Sequence, residues 1–301
     1  MKKLGLPVAL FAATVLLANA GIKAFDVTPE WLAVIESLAP GNPAAKIETP
    51  RNALLFSRMT GYKHWVTPHT AGVIKILGRK SGAFNVVESN DVEMFAPGNI
   101  KQFDVIILNN TCSETKKRDL FWDATHDRAR AAMLEKSLLE HIAGGAGLVA
   151  IHGAITMQNN SMAFSEMLGG SFDFHPRQQE VVCKLVDPQH PLVEPFKGLP
   201  FVHEDEPYLF KNAYGDKNFR PLLEMDTAKL DCGNRTESVR SDKRYVAWIK
   251  RYGKGRVFYC SPSHNARSFE KPELLQFILN GIRYAGGDLD CDDSPMERSA
   301  P

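Results

Sequence analysis

Three uninterrupted apolar runs limit this chain's fold more than any other feature. They are Ala53-Leu54-Leu55-Phe56, the segment Asp104-Val105-Ile106-Ile107-Leu108, and Gly147-Leu148-Val149-Ala150-Ile151. A strand with one wet face alternates apolar and polar residues, whereas one without alternation is covered on both sides, as in a parallel sheet between two helical layers. The intervening sequence supplies the helices. Thr67-Pro68 reads as an N-cap followed by a first-turn proline, Ile74 and Leu77 share a face, and Gly78 stops the helix. Leu134, Leu138 and Ile142 recur at four-residue spacing across residues 127 to 143, and Gly144-Gly145 ends that helix. With a further strand over Phe84 to Val87, the alternation predicts an α/β fold: a parallel sheet with helices on both faces.

Beyond residue 180 the pattern shortens. Strands are expected over Val181 to Val186, Arg220 to Leu223 and Tyr245 to Lys250. The turn Tyr252-Gly253-Lys254-Gly255 joins two alternating runs into a C-terminal antiparallel hairpin. Leu275, Ile278 and Ile282 make Pro272 to Tyr284 an amphipathic final helix. The tail, residues 288 to 301, is polar and reads as a loose end. At the other end, Trp31 marks a short helix within a segment of residues 21 to 48, which Pro40-Gly41-Asn42-Pro43 turns into a linker. The main domain is then 49 to 287.

Lys2-Lys3, the apolar stretch Leu4 to Leu17 and Ala18-Asn19-Ala20 follow the order of a secretory signal peptide, residues 1 to 20. The run is too short for a membrane span, which needs about 20 apolar residues. The expectation is a periplasmic or secreted protein with no stable membrane insertion once the signal is removed. Charge is balanced, 36 Lys+Arg against 35 Asp+Glu, so no basic excess invites nucleic acid. Five cysteines without a C-x-x-C pair argue for buried thiols, with at most a bridge, and against a thiolate metal site. A homo-oligomer is allowed; nothing in the residues decides it.

In open α/β sheets, ligands sit outside the carboxyl ends of the strands. There the chain places Gly61-Tyr62-Lys63-His64, Asn109-Asn110, His152-Gly153-Ala154 and Ser261-Pro262-Ser263-His264. His152 follows a buried strand between small residues, the steric setting of a nucleophile elbow, but with an imidazole where Ser or Cys would stand. That suits an acid/base or metal-binding histidine. His203-Glu204-Asp205-Glu206-Pro207-Tyr208 crowds carboxylates that could do proton transfer or hold a hard cation, although spacing alone favours a solvated acidic loop. His175, in Gly169-Gly170-Ser171-Phe172-Asp173-Phe174-His175-Pro176, lies beside aromatics suited to sugar stacking or to the core. There is no H-E-x-x-H pattern, so a divalent metal is possible only if several loops assemble its site from His64, His152, His175, Asp205, Glu206 and His264.

These segments together resemble the ThuA-like (trehalose-utilisation) family. The resemblance runs collinearly from about residue 50 to 287 through the Gly-Tyr-Lys-His loop, Ala150-Ile151-His152-Gly153-Ala154, Gly169-Gly170 to His175-Pro176, Asp187 to Pro191, Asp205-Glu206-Pro207-Tyr208 and the closing hairpin. It implies a class I glutamine-amidotransferase-like, flavodoxin-like architecture in which His152 stands where the amidotransferases carry a cysteine. Glutamine hydrolysis should therefore be lost. It also implies a carbohydrate substrate, with 3-keto-glycosides the favoured class. The expected activity is hydrolysis or elimination of a glycoside. His152, Glu206 and His264 would be the catalytic groups, and His64, His175, Asp205, Tyr208 and Asn110 would bind the sugar. A carbohydrate-binding or interaction protein of a sugar-utilisation system without catalysis is the alternative.

Overall fold

The computed structural model describes residues 22–41 and 49–296; the signal segment and most of the linker lie outside them. The uninterrupted apolar runs form the strands expected of them: β1 Arg51–Phe56, β3 Val105–Asn109 and β4 Gly147–Ile151. The other strands are β2 Phe84–Ser89, β5 Ser171–Phe174, β6 Gln179–Leu185, β7 Phe201–Asp205, β8 Leu209–Lys211, β9 Arg220–Met225, β10 Arg244–Tyr252 and β11 Gly255–Cys260. Nine of them build one sheet in the order β2-β1-β3-β4-β11-β10-β9-β6-β7, and β5 pairs with β8 in a small sheet apart.

The neighbours from β2 to β11 pair in parallel, and those from β11 to β7 pair antiparallel. Two consequences place the site. The hairpin of β10 and β11 does not hang off the sheet; β11 fills the slot beside β4, so the loop after Cys260 adjoins the loop after Ile151. Counting the alternating directions across β11, β10, β9, β6 and β7, β7 points the same way as β4. The segment after Asp205 thus opens on the same rim as residues 57, 110, 152 and 261.

The helices are α1 Pro29–Leu38, α2 Thr67–Ser81, α3 Leu120–Thr125, α4 Arg128–Gly144, α5 Met162–Leu168, α6 Thr236–Arg240 and α7 Pro272–Ala285. Helix α7 buries Leu275, Ile278 and Ile282 and packs on β11 and β4. There Phe258 meets Phe277 at 5.3 Å between ring centroids. The approach needs Gly281, because a Cβ at that position would stand 2.2 Å from the Phe258 ring. On the opposite face Trp248 donates its indole N–H to the Leu168 carbonyl at the end of α5, at 2.8 Å. Fully burying an aromatic or aliphatic side chain of this size contributes about 1.5–3 kcal/mol, so both sheet faces hold the centre in place. Among the described residues no helix is long and apolar enough to cross a membrane. All five cysteines are free thiols, four of them buried, so no bridge forms.

Two expectations are corrected. Helix α2 is capped by Val66 without a side-chain bond, and Thr67 is its first residue; the Thr67 hydroxyl turns to Met59 Sδ at 3.4 Å. The described part of the tail is not loose. Asp288 pairs with Arg51 at 2.6 Å, Asp290 with Arg256 at 2.7 Å, and Asp293 accepts the Tyr284 hydroxyl at 2.9 Å. Leu289 and Cys291 also pack against the core, so ion pairs and apolar contacts hold this segment together.

Candidate functional site

His152 directly follows β4 with a φ of 45° and is wholly buried. A left-handed backbone at a residue bearing a Cβ costs about 1–2 kcal/mol. Such conformations persist where surrounding structure holds them, often at functional sites. The sharp turn is thus made at His152 itself. The smallness of Gly153 serves another purpose, since a Cβ there would lie 2.5 Å from Cε1 of His64. The His64 loop is pinned from the other side, where the Thr60 and Gly61 amides donate to the Cys112 carbonyl at 2.9 and 3.0 Å. His64 is buried and packs edge-on to His152, with ring centroids 5.3 Å apart.

Behind β11 the chain delivers His264, its ring 5.0 Å from that of His152 and 5.6 Å from that of His64. Glu206 enters from the end of β7. Its Oε2 lies 3.3 Å from His152 Nε2, and its Oε1 lies 3.7 Å from His264 Nε2, too far for a hydrogen bond. Gln178 donates to Oε1 at 3.3 Å. The acidic segment is therefore not a solvated loop. His203, Asp205 and Glu206 are all buried, while Glu204 faces out. The period-two alternation of a strand explains the difference.

Asp205 is buried behind the cluster. It accepts the Glu206 amide at 2.7 Å and the His264 amide at 3.2 Å, and pairs with His203 Nδ1 at 3.2 Å. Burial alone would raise its pKa; the hydrogen bond and charge of His203 prevail and lower it. Tyr208 is buried, its ring 4.1 Å from that of His152, and its hydroxyl lies 3.4 Å from His64 Nε2. Burial pushes its pKa far up, so it stays protonated. His175 stacks on the outer side of Tyr208 at 5.4 Å and sits 3.9 Å from Glu206 Oε2. With the exposed Tyr62, which packs edge-on to His64, it forms the wet rim. Asn110 is left-handed and buried, and its amide nitrogen goes to Asn109 Oδ1 at 2.9 Å and Thr70 at 3.4 Å. Its contacts run to the base of the rim and not to the histidines.

The protonation pattern follows from the partners. His152 Nδ1 lies 2.9 Å from the Ser261 carbonyl, which can only accept, so Nδ1 carries the hydrogen. Glu206 is lowered below the usual carboxylate range: desolvation works against this, but the His152 hydrogen bond and the neighbouring imidazoles outweigh it. His64 falls well below the ordinary histidine value through burial, then through repulsion by His152 and His264. Burial and His152 bring His264 to about 4. Both ring nitrogens of His264 and Nδ1 of His64 are buried without a partner. One donor atom each from His64, His152, His264 and Glu206 lie within 4.8 Å of one another. The sequence had singled out all four. It had not singled out Gln178, Ser261 or the space at Gly153, because each acts through a partner distant in sequence.

Residues 52–285 match the family model described as ThuA, trehalose utilisation. No curated protein sequence matches the chain. Among solved structures, a ThuA-like protein from Bacteroides uniformis shares 18% identity at a TM-score of 0.60, over 81% of this chain and 95% of that one. A ThuA-like protein from Parabacteroides merdae shares 19% at 0.56, over 79% and 90%. These two likenesses are of fold.

Proposed function

The chain belongs to the ThuA family, and from that premise we propose that it acts on a glycoside, favouring a 3-keto-glycoside, through proton transfer at the His152–Glu206–His264 cluster. The family's link to trehalose utilisation supports a carbohydrate ligand. The observation that carries the chemistry is the buried contact of His152 Nε2 with the Glu206 carboxylate, beside the unpartnered imidazole of His264. A ketone at C3 acidifies C2–H. A neutral imidazole, His264, takes that proton, and the electron pair becomes an enolate. The enolate re-forms the ketone as the C1–O bond breaks, leaving a C1=C2 double bond, and the departing oxygen takes a proton from the His152–Glu206 pair. The site thus gains one proton and gives one, and water added later across the double bond completes a net hydrolysis. No second carboxylate at glycosidase spacing is needed. The basic start, apolar run and Ala18-Asn19-Ala20 support placing this activity outside the cytoplasm.

The test is release of free monosaccharide from disaccharides and their 3-keto forms. His152→Ala should lower turnover by ~100- to 10,000-fold, the usual cost of removing an acid/base group, and His152→Asn nearly as much. Near-normal turnover in either variant would make His152 structural and shift the chemistry elsewhere.

A further inference from the structure

We propose that His64, His152, His264 and Glu206 form a binding site for one divalent first-row transition ion, with zinc the reference ion. The inference concerns the same cluster as the proposed activity; an ion there takes the His264 lone pair, so ion binding and proton abstraction by His264 are alternative states of the site.

Three observations carry it. First, His152 has acceptors at both ring nitrogens: the Ser261 carbonyl at Nδ1 and the Glu206 carboxylate at Nε2. With Nδ1 held by the Ser261 carbonyl, Nε2 is the ring nitrogen turned toward the carboxylate 3.3 Å away, so a cation between them would be held by both. Second, His264 is completely buried and neither of its nitrogens has a partner, and His64 Nδ1 is in the same state. Buried polar atoms are ordinarily satisfied, so the orphaned nitrogens of two imidazoles in one cluster need an explanation, and one ion would take a nitrogen from each ring. Third, the four donor atoms already lie within 4.8 Å of one another. Ligands of a tetrahedral ion, at about 2.1 Å each, stand about 3.4 Å apart, so the widest pairs close by about 1 Å on binding.

The donor chemistry selects the ion. Three imidazoles and a single carboxylate suit zinc and its neighbours, whereas calcium and magnesium take oxygen ligands. The surroundings are those of a metal site as well. A ligating histidine commonly donates its second ring N–H to a backbone carbonyl, as His152 does to Ser261. Asp205 holds the amides of both Glu206 and His264, fixing two ligands from one buried carboxylate. These ligands come from four separate loops, which is why no compact motif marks the site.

The experiment uses the full purified chain, stripped with a chelator, dialysed and titrated with zinc(II), with bound metal counted by elemental analysis. Cobalt(II) then reports coordination by visible absorption. One equivalent of zinc per chain is expected, together with a rise in melting temperature and cobalt bands of four- or five-coordinate character. Replacing an outer-shell partner alone typically weakens binding 10- to 100-fold, so His264→Gln and His64→Gln should each weaken it by about 100-fold or more. Glu206→Gln keeps the side-chain volume and carries the test if a histidine variant does not fold by circular dichroism. Absence of stoichiometric zinc in the wild type, or unchanged affinity in the folded variants, overturns the site. Metal uptake is read without turnover. A protein that turns over keto-sugars but takes up no zinc retains the proposed activity and loses the ion, whereas one that binds zinc and leaves every sugar untouched does the reverse.

Discussion

Gly153→Ala tests the cluster without removing any of its side chains. The new Cβ would lie 2.5 Å from His64 Cε1, 2.9 Å from Nε2 and 3.0 Å from Nδ1. Carbon atoms make favourable contact at about 3.5 Å and beyond, so the imidazole must retreat by about 1 Å. It cannot do so freely, because Thr60 and Gly61 tie its loop to Cys112, and a Cβ on Gly61 itself would meet the Ser113 carbonyl at 2.2 Å. The cost in stability should be modest. Overpacking takes about 1–3 kcal/mol, and replacing glycine at a backbone angle alanine tolerates returns about 0.4–1 kcal/mol through the unfolded chain. Function should suffer more, since displacing a positioned group by about 1 Å can cost on the order of 100-fold. The assay pairs initial rates on a 3-keto-disaccharide with thermal melting. A double variant with His64→Ala sharpens it: once the ring is gone the clash is gone, so Gly153→Ala should add almost nothing further. If Gly153→Ala folds and keeps wild-type rates, His64 has no part in the chemistry.

Two further outcomes can be measured. The metal-free protein should be most stable above pH 7 and weaken on acidification. His264 falls to about 4 and His64 is lowered as well, so between the unfolded value near 6.5 and the folded values the unfolded chain binds protons that the folded one refuses. For His264 alone this removes roughly 3 kcal/mol, and the lowered Glu206 adds a loss in the same direction below its ordinary value; urea midpoints that stay flat from pH 7 to 4 would contradict it. Export predicts a mature N-terminus at Gly21, or at Phe25 if cleavage follows Ala24, read by mass spectrometry of the periplasmic protein. An intact Met1 on cytoplasmic protein would refute it.

What could be read from the residues divides along a physical line. Strands β1, β3 and β4 were legible because a strand buried on both faces carries its environment in its own composition, and α7 because its stripe of Leu275, Ile278 and Ile282 does the same. Strands β5 and β8 are short, and β7, as long as β3 and β4, buries only alternate residues, so its character depends on what covers it. His203-Glu204-Asp205-Glu206 is the sharpest case: spacing favours solvated carboxylates, whereas β7 turns His203 and Asp205 inward and the loop after it buries Glu206 against His152. The histidines were legible as rim residues because each follows a recognisable strand. Their convergence on one carboxylate required knowing that β11 lies next to β4 and that β7 points the same way. The tail was misjudged because ion pairs with Arg51 and Arg256 lie far away in sequence.

The position of β11 also sets an order of assembly. During synthesis, β1 to β4 can form their parallel half-sheet while the edge of β4 has no neighbour until residues 255–260 arrive. An unpaired, wholly apolar edge such as Gly147–Ile151 is a template for pairing with other chains. The strand that closes it is the one that leads directly into His264. Chains truncated before residue 255 should therefore self-associate through the β4 edge, so that release of an incomplete chain is an aggregation hazard before it is a loss of activity.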